Sequence, residues 1–363
     1  MISSQLDEFL EKALVNYDLP GMAVNVGIRE NSSNRNAGLK YIKAMGYRDF
    51  ITKKPLLPEN IFHMASVTKL FVGTCIIKLW EEKKIDLEGY LVAYLPWFRM
   101  ADGRYKNITI RQLLSHTSGM PDVGNYYWDK PETDEGALER YVRSKEVSEA
   151  NLLWGPEEGR FLYSNIGYEI LGVVIAKLTG MSFEEYVKKN IFDPLGMKDS
   201  TLLTFERGIY KDDASKYDNI CIPHEKNSEK EIVKSRHFPY NRAHGPSSTL
   251  TSNIYDLEKW ALAHLDKKLM KEETYQIVWE DQALVPTNGE HICLSWFKRE
   301  QNGLTLYGHE GTDDGFRASF WICPELKLYI VVCSNILNAP VKKISKKIFE
   351  LLTKDREMIG LVK

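Results

Sequence analysis

Apolar residues recur at Leu6, Phe9, Leu10 and Leu14, three or four apart, which predicts an amphipathic helix at the start of the chain. After Pro20 the period changes. Met22, Val24, Val26 and Ile28 alternate with Ala23, Asn25, Gly27 and Arg29, the pattern of a strand buried on one face. The polar run Asn31 to Asn36 turns the chain, and Leu39 to Tyr47 is predicted as the hairpin partner. Residues 66 to 84 predict a helix that is apolar from Leu70 to Ile77 almost without interruption, so it should be buried on most sides.

Helical patterns continue to about residue 287. Ile166, Ile170, Val174 and Leu178 share one helical face, with Asn165 as the expected cap and Gly180 as the stop. Ser182 with Glu185 fits a capping box. Residues 206 to 245 are polar and aperiodic, the pattern of a long loop arm. Strands are predicted at Ile292 to Glu300, Leu304 to His309, Phe316 to Ile322 and Leu328 to Ser334. Val341, Ile344, Ile348 and Leu351 then line one face of a last helix whose other face carries lysines. The fold class is therefore α+β: an antiparallel sheet built from both chain ends, flanked by terminal helices, with a mainly helical lobe inserted. The expected division of this single catalytic unit is residues 1–65 with 288–363 in the sheet lobe and 66–287 in the helical lobe.

Composition changes the picture little and charge narrows it. The 363 residues carry 48 Lys plus Arg against 50 Asp plus Glu, a net charge of −2. That balance argues against a nucleic-acid partner. No stretch reaches eighteen uncharged apolar residues, so no membrane span is expected. The start lacks the basic, apolar and small-residue segments of a signal peptide, which points to the cytoplasm. Five cysteines with no CxxC spacing argue against a disulfide framework or a cysteine-held zinc. Nothing in the pattern specifies an oligomeric state.

Five short stretches match patterns that carry chemistry. Ser66-Val67-Thr68-Lys69 opens the apolar helix, where residues three apart share a face, so the Lys69 amine can reach the Ser66 hydroxyl. Burial and the helix N-terminus favour the neutral amine, and a serine needs such a base to become a nucleophile. Taken alone, the tetrapeptide also fits a capping serine and a snorkelling lysine. Ser295-Trp296-Phe297-Lys298 repeats the pattern in a predicted strand, where the two side chains point to opposite faces and cannot cooperate. Tyr163-Ser164-Asn165 precedes a helix, where a nearby ammonium would lower the tyrosine pKa; in isolation the pattern favours a core-capping Tyr with an N-cap Asn. A second Tyr-x-Asn, Tyr217-Asp218-Asn219, lies in the polar arm with no helix after it. His309-Glu310-Gly311 ends a predicted strand, and its glycine would let a substrate approach backbone donors. No HExxH supports a metal and no G-x-S-x-G supports an α/β-hydrolase.

Taken together, Ser66-x-x-Lys69, Tyr163-x-Asn165 and His309-x-Gly311, in this order, resemble the serine β-lactamase and penicillin-binding-protein superfamily. The second and third motifs are similar to the class C branch, which includes D-alanyl-D-alanine carboxypeptidases, D-aminopeptidases and family VIII esterases. Similar stretches at 113–121, 161–179, 191–197 and 248–260 carry the likeness over nearly the whole chain. The resemblance implies a β-lactamase/transpeptidase-like fold and a serine acyl hydrolase that acts on a small-molecule substrate without metal or organic cofactor. It implies Ser66 as the acylated nucleophile, with Lys69 and Tyr163 sharing the general-base role and Tyr163 protonating the leaving group. The backbone amides of Ser66 and Thr312 would form the oxyanion hole. Asn165 would hold the acyl-side amide, and His309 and Gly311 would line the site. Tyr127, within the run Tyr126-Tyr127-Trp128, falls in the substrate-facing loop unless that run packs into the core.

One departure bears on substrate. Many β-lactam-active members carry Lys where this chain has His309, which is mostly neutral near pH 7. Asp313 and Asp314 would repel a substrate carboxylate by on the order of 1 kcal/mol each. Arg317 would offset this if it faces the cleft. The expectation is weak β-lactam turnover and a preference for neutral esters or amine-bearing D-amino-acid amides. The alternatives are a penicillin-binding sensor that deacylates slowly and, with no motif behind it, a metal hydrolase.

Overall fold

Strand β1 (Gly21–Ile28) lies inside a sheet to which both ends of the chain contribute. The computed structural model describes residues 2–34, 36–209 and 219–354, so Tyr217 and Asp218 of the second Tyr-x-Asn lie outside the described residues. Its strands continue as β2 (Lys40–Asp49), β3 (Lys54–Pro55), β4 (Phe62–His63), β5 (His224–Lys226), β6 (Ile232–Lys234) and β7 (Thr251–Ser252). The C-terminal half adds β8 (Ala283–Leu284), β9 (His291–Ile292), β10 (Phe297–Gln301), β11 (Leu304–Asp313), β12 (Phe316–Cys323) and β13 (Leu328–Ser334). Nine of these form one antiparallel sheet in the order β3-β2-β1-β13-β12-β11-β10-β9-β8. β4 pairs with β7, and β5 with β6, in two small separate sheets.

Alternation along the strands divides the interior into two cores. Val24, Val26, Ile330 and Val332 face the terminal helices Ile2–Asn16 and Val341–Thr353, packing on Leu6, Leu10, Ile344 and Ile348. Ala318, Phe320, Val331 and Cys333 face the helical block, where Thr68–Glu81, Asn165–Thr179 and Ile254–Leu265 carry most of the packing. Among the described residues no single helix is long and apolar enough to cross a membrane. All five cysteines are buried free thiols.

Four expectations change. β1 is buried on both faces, because its polar positions have their own partners: Asn25 Nδ2 donates to the Ile254 carbonyl at 2.9 Å, and Gly27 packs against the Tyr329 ring. The predicted strand Ile292 to Glu300 is broken at Cys293–Trp296, and Ser295 sits there with φ of 71°. Ser295 Oγ bonds the Tyr168 hydroxyl at 2.8 Å and packs on Gly73, where a Cβ would lie 2.0 Å away, while Lys298 pairs with Asp281. The second SxxK is thus held apart by a strand break rather than by strand alternation. In the polar arm, β5 and β6 form a hairpin docked on the sheet lobe through a bridge from His224 to Ile336. Sheet pairing also begins at Ala283, inside the stretch expected to be helical.

Candidate active site

Ser66 stands in a 3-10 turn, Ala65–Val67, that leads into the helix Thr68–Glu81. The turn is over-determined. Ala65 has φ of 46°, the Met64 N–H donates to the Leu250 carbonyl at 2.8 Å, and Thr68 Oγ1 donates to the Ala65 carbonyl at 2.6 Å. From Ile61 to Val72 every residue is buried except Ser66, which opens to the cleft. Lys69 follows one turn later and is fully buried. Its Nζ donates to Ser66 Oγ at 3.1 Å and to the Ser247 carbonyl at 2.8 Å. Burial pulls the Lys69 pKa down to about 8, against the opposing pull of Glu169, Asp122 and Asp313.

Tyr163 hydrogen-bonds Ser66, and Lys69 Nζ lies 5.0 Å from its ring centroid. The expected lowering of its pKa does not occur. Burial dominates and pushes the phenol well above its ordinary value, and the Ser66 hydrogen bond only partly opposes this. Tyr163 therefore rests as a neutral phenol. Its ring stacks on His116 at 4.3 Å between centroids, and His116 Nδ1 accepts the Ser164 N–H at 3.1 Å. Burial drives the His116 pKa well down, so this support is uncharged. Ser164, not Asn165, caps the following helix, accepting from the Gly167 N–H. Asn165 is freed from capping and is held by Asp122, whose Oδ1 accepts from its Nδ2 at 2.9 Å and its backbone N–H at 2.8 Å.

His309 does not end its strand, because β11 runs on to Asp313. β10 covers β11 only from Leu304 to Gly308, so residues 309–313 form an open edge toward the cleft. His309 is buried beside Tyr163 and Phe297, and burial pushes its pKa down to about 3. Gly311 has a second reason to be glycine. A Cβ there would lie 2.2 Å from the Met64 carbonyl oxygen, so the strand and the nucleophile turn touch through bare backbone. Asp313 Oδ2 meets His63 Nε2 at 2.7 Å between Phe238 and Phe316, and is therefore not the free repelling charge the sequence suggests.

A cavity of about 350 Å³ gathers Ser66, Tyr163, Asn165, His309, Thr312 and Asp313. Two expected members are elsewhere. Tyr127 is 48% exposed with φ of 49°, and its neighbour Tyr126 lines the cavity instead. Arg317 pairs across the sheet with Thr312, and its side chain bonds Thr312 Oγ1 and the Leu337 carbonyl on the face turned away from Asp313. The cation at the cavity is Lys342, at the start of the last helix, bonded to Glu290 at 2.7 Å. Lys342 and Glu290 carry no local signal, because only the fold brings them to Ser66, whereas Glu310 lies inside His309-x-Gly311. His116 and Asp122 had a local signal, lying in and beside the stretch Leu113–Pro121 that carries the resemblance.

The beta-lactamase family model matches residues 6–353. The chain belongs to the beta-lactamase family. Protein flp of Staphylococcus aureus (strain MW2) is 28% identical over 347 residues, covering 94% of this chain and 64% of that protein. The chain thus spans about 64% of the length of such curated relatives. An octameric penicillin-binding protein homologue from Pyrococcus abyssi superposes with a TM-score of 0.83 at 25% identity, over 98% of this chain and 78% of that one. The D-amino acid amidase from Ochrobactrum anthropi SV3 shares the fold, with a TM-score of 0.76 at 18% identity over 97% and 99% of the two chains. Family membership and the superposition give the chain the β-lactamase/transpeptidase fold.

Proposed function

We propose that the protein hydrolyses small esters or amides through an acyl-enzyme on Ser66. The observation that carries this reading is the Lys69 Nζ to Ser66 Oγ hydrogen bond of 3.1 Å inside a buried site that lowers the lysine pKa to about 8. The neutral amine takes the Ser66 proton as Oγ bonds to the substrate carbonyl carbon. The carbonyl oxygen becomes the oxyanion, facing the backbone amides of Ser66 and Thr312. As the intermediate collapses, the C–O or C–N bond to the leaving group breaks, and Tyr163 passes it a proton that Lys69 replaces. Water then attacks the ester on Ser66 by the same route, which releases the acid and restores the serine. Asn165, steadied by Asp122, is set to bind the acyl-side amide.

Charge at the cavity supports a substrate class. His309 is neutral, and Lys342, the cation lining the cavity, is already paired with Glu290, so no free positive charge waits there for a substrate carboxylate. Such walls favour neutral esters and amine-bearing D-amino-acid amides over β-lactams that carry a carboxylate. The test is kcat/KM for p-nitrophenyl esters, D- and L-amino-acid p-nitroanilides and nitrocefin, with wild type and Ser66→Ala. Ester and D-anilide turnover that vanishes in Ser66→Ala is expected. Efficient nitrocefin hydrolysis with a low KM overturns the substrate preference, and a stable penicilloyl adduct would make the protein a sensor.

A further inference from the structure

Behind Lys69, on the side away from the cleft, lies a buried carboxylate that the reaction scheme does not use. Glu169 sits on the helix Asn165–Thr179 and is 0% exposed. Three residues on, Gly172 lets the turn at 244–248 close onto the same helix face, since a Cβ there would lie 2.2 Å from the Pro246 ring. The turn delivers Ser247, whose Oγ donates to Glu169 Oε1 at 2.6 Å, a length typical of a bond to a charged acceptor. The Ser247 carbonyl in turn accepts from Lys69 Nζ at 2.8 Å. His244 Nδ1 stands 3.4 Å from the same Glu169 oxygen, and Glu169 Oε2 has no partner.

We propose that Glu169 is a positioning residue for Lys69: through Ser247 it holds a carbonyl on the lysine amine, and it keeps a buried negative charge behind that amine. This rests on the acyl-serine reading above. The remaining groups around Lys69 are Ser66, Tyr163, Tyr168, His116, His309, Asp122 and Asp313. Around Glu169 stand Ser247 and His244 from the turn, with Tyr126 and Tyr141 beyond. Among the groups acting on Lys69, Glu169 is the strongest opponent of burial, favouring the protonated amine. Its removal would therefore let Lys69 lose its proton at lower pH.

The test is the pH profile of kcat/KM for an ester substrate in wild type, Glu169→Gln and Glu169→Asp. Glu169→Gln should move the rising acidic limb to lower pH by about 1 unit. Glu169→Asp, which keeps the charge, should leave the limb near its wild-type place. A limb that stays put in a folded Glu169→Gln while the rate falls at every pH would overturn the proposal, as would a shift to higher pH. Should Glu169→Gln fail to fold, Ser247→Ala decides. It keeps the charge but frees the carbonyl, so kcat should fall at least tenfold with KM and limb unmoved, and an unchanged kcat would overturn the proposal. Ser66→Ala is run in parallel. Hydrolysis that survives in it overturns the acyl-serine reading and this inference together, whereas an inactive Ser66→Ala with an unmoved limb in Glu169→Gln overturns the role of Glu169 alone.

Discussion

Gly311→Ala is the smallest change that should separate the two halves of the oxyanion hole. The added Cβ would stand 2.2 Å from the Met64 oxygen, 3.1 Å from its carbonyl carbon and 3.3 Å from Ala318 Cβ. Van der Waals contacts are comfortable near ~3.5 Å, so roughly 1 Å must open between β11 and the turn that presents Ser66. Met64 cannot yield alone, because its N–H is tied to Leu250 and the following Ala65 already has a positive φ. Overpacking of this kind costs about 1–3 kcal/mol of stability. The chemical cost is separate. Thr312 moves with the strand and Ser66 with the turn, and a misplacement of ~1 Å costs about 100-fold in rate, or ~2.7 kcal/mol of barrier. The assay is kcat and KM on an ester at 25 °C, with circular dichroism and a thermal melt to establish that the variant is folded. A folded Gly311→Ala that keeps wild-type kcat would refute the reasoning, since it would mean the strand and the turn need not touch.

Other consequences follow from the same geometry. The rate should rise with pH through about 8, where Lys69 becomes neutral, with no inflection between pH 6 and 7 because burial holds His309 near 3; a limb centred near 6.5 would show that a histidine is the base. His116→Ala removes both the ring under Tyr163 and the acceptor of the Ser164 N–H. It should lower kcat by about 10- to 100-fold with a smaller change in KM, and steady-state kinetics that show only a KM effect would contradict this. Lys342→Met should lower kcat/KM about tenfold, ~1.4 kcal/mol, for substrates with a carboxylate on the leaving group. Neutral esters should be unaffected, which a paired substrate series checks directly.

Much of the sheet was legible because its strands are short apolar runs bounded by turn residues, and the helix Thr68–Glu81 because Leu70 to Ile77 is apolar but for Thr74. The three motifs were legible because their spacing is local: Lys69 reaches Ser66 within one turn of chain. What the pattern could not carry was set by long-range contact. β1 looked half-buried because Asn25 and Gly27 are polar or small, yet their partners Ile254 and Tyr329 come from elsewhere in the chain. β11 was cut short at His309 because Gly311 and two aspartates look like a turn, whereas pairing with β12 carries the strand to Asp313. Tyr126 and Tyr127 are equivalent in sequence, and the left-handed backbone at Tyr127 decides which ring enters the cleft. Lys342 looked like one of a row of solvent lysines, and only the docking of the last helix against the sheet brings it to the cavity. The Tyr163 phenol departs from expectation for a different reason, since the effect of burial outweighs that of a neighbouring ammonium.

Turnover should pass through a covalent bond to Ser66. Wild type and Ser66→Ala are each mixed with a fluorophosphonate and, separately, with a slowly turned-over ester, then quenched over time for intact mass and peptide mapping. A mass increment on the peptide holding Ser66 in wild type is predicted, stable for the phosphonate and decaying for the ester, with none in Ser66→Ala. Equal labelling of both proteins, or ester hydrolysis by Ser66→Ala at the wild-type rate, would contradict the account.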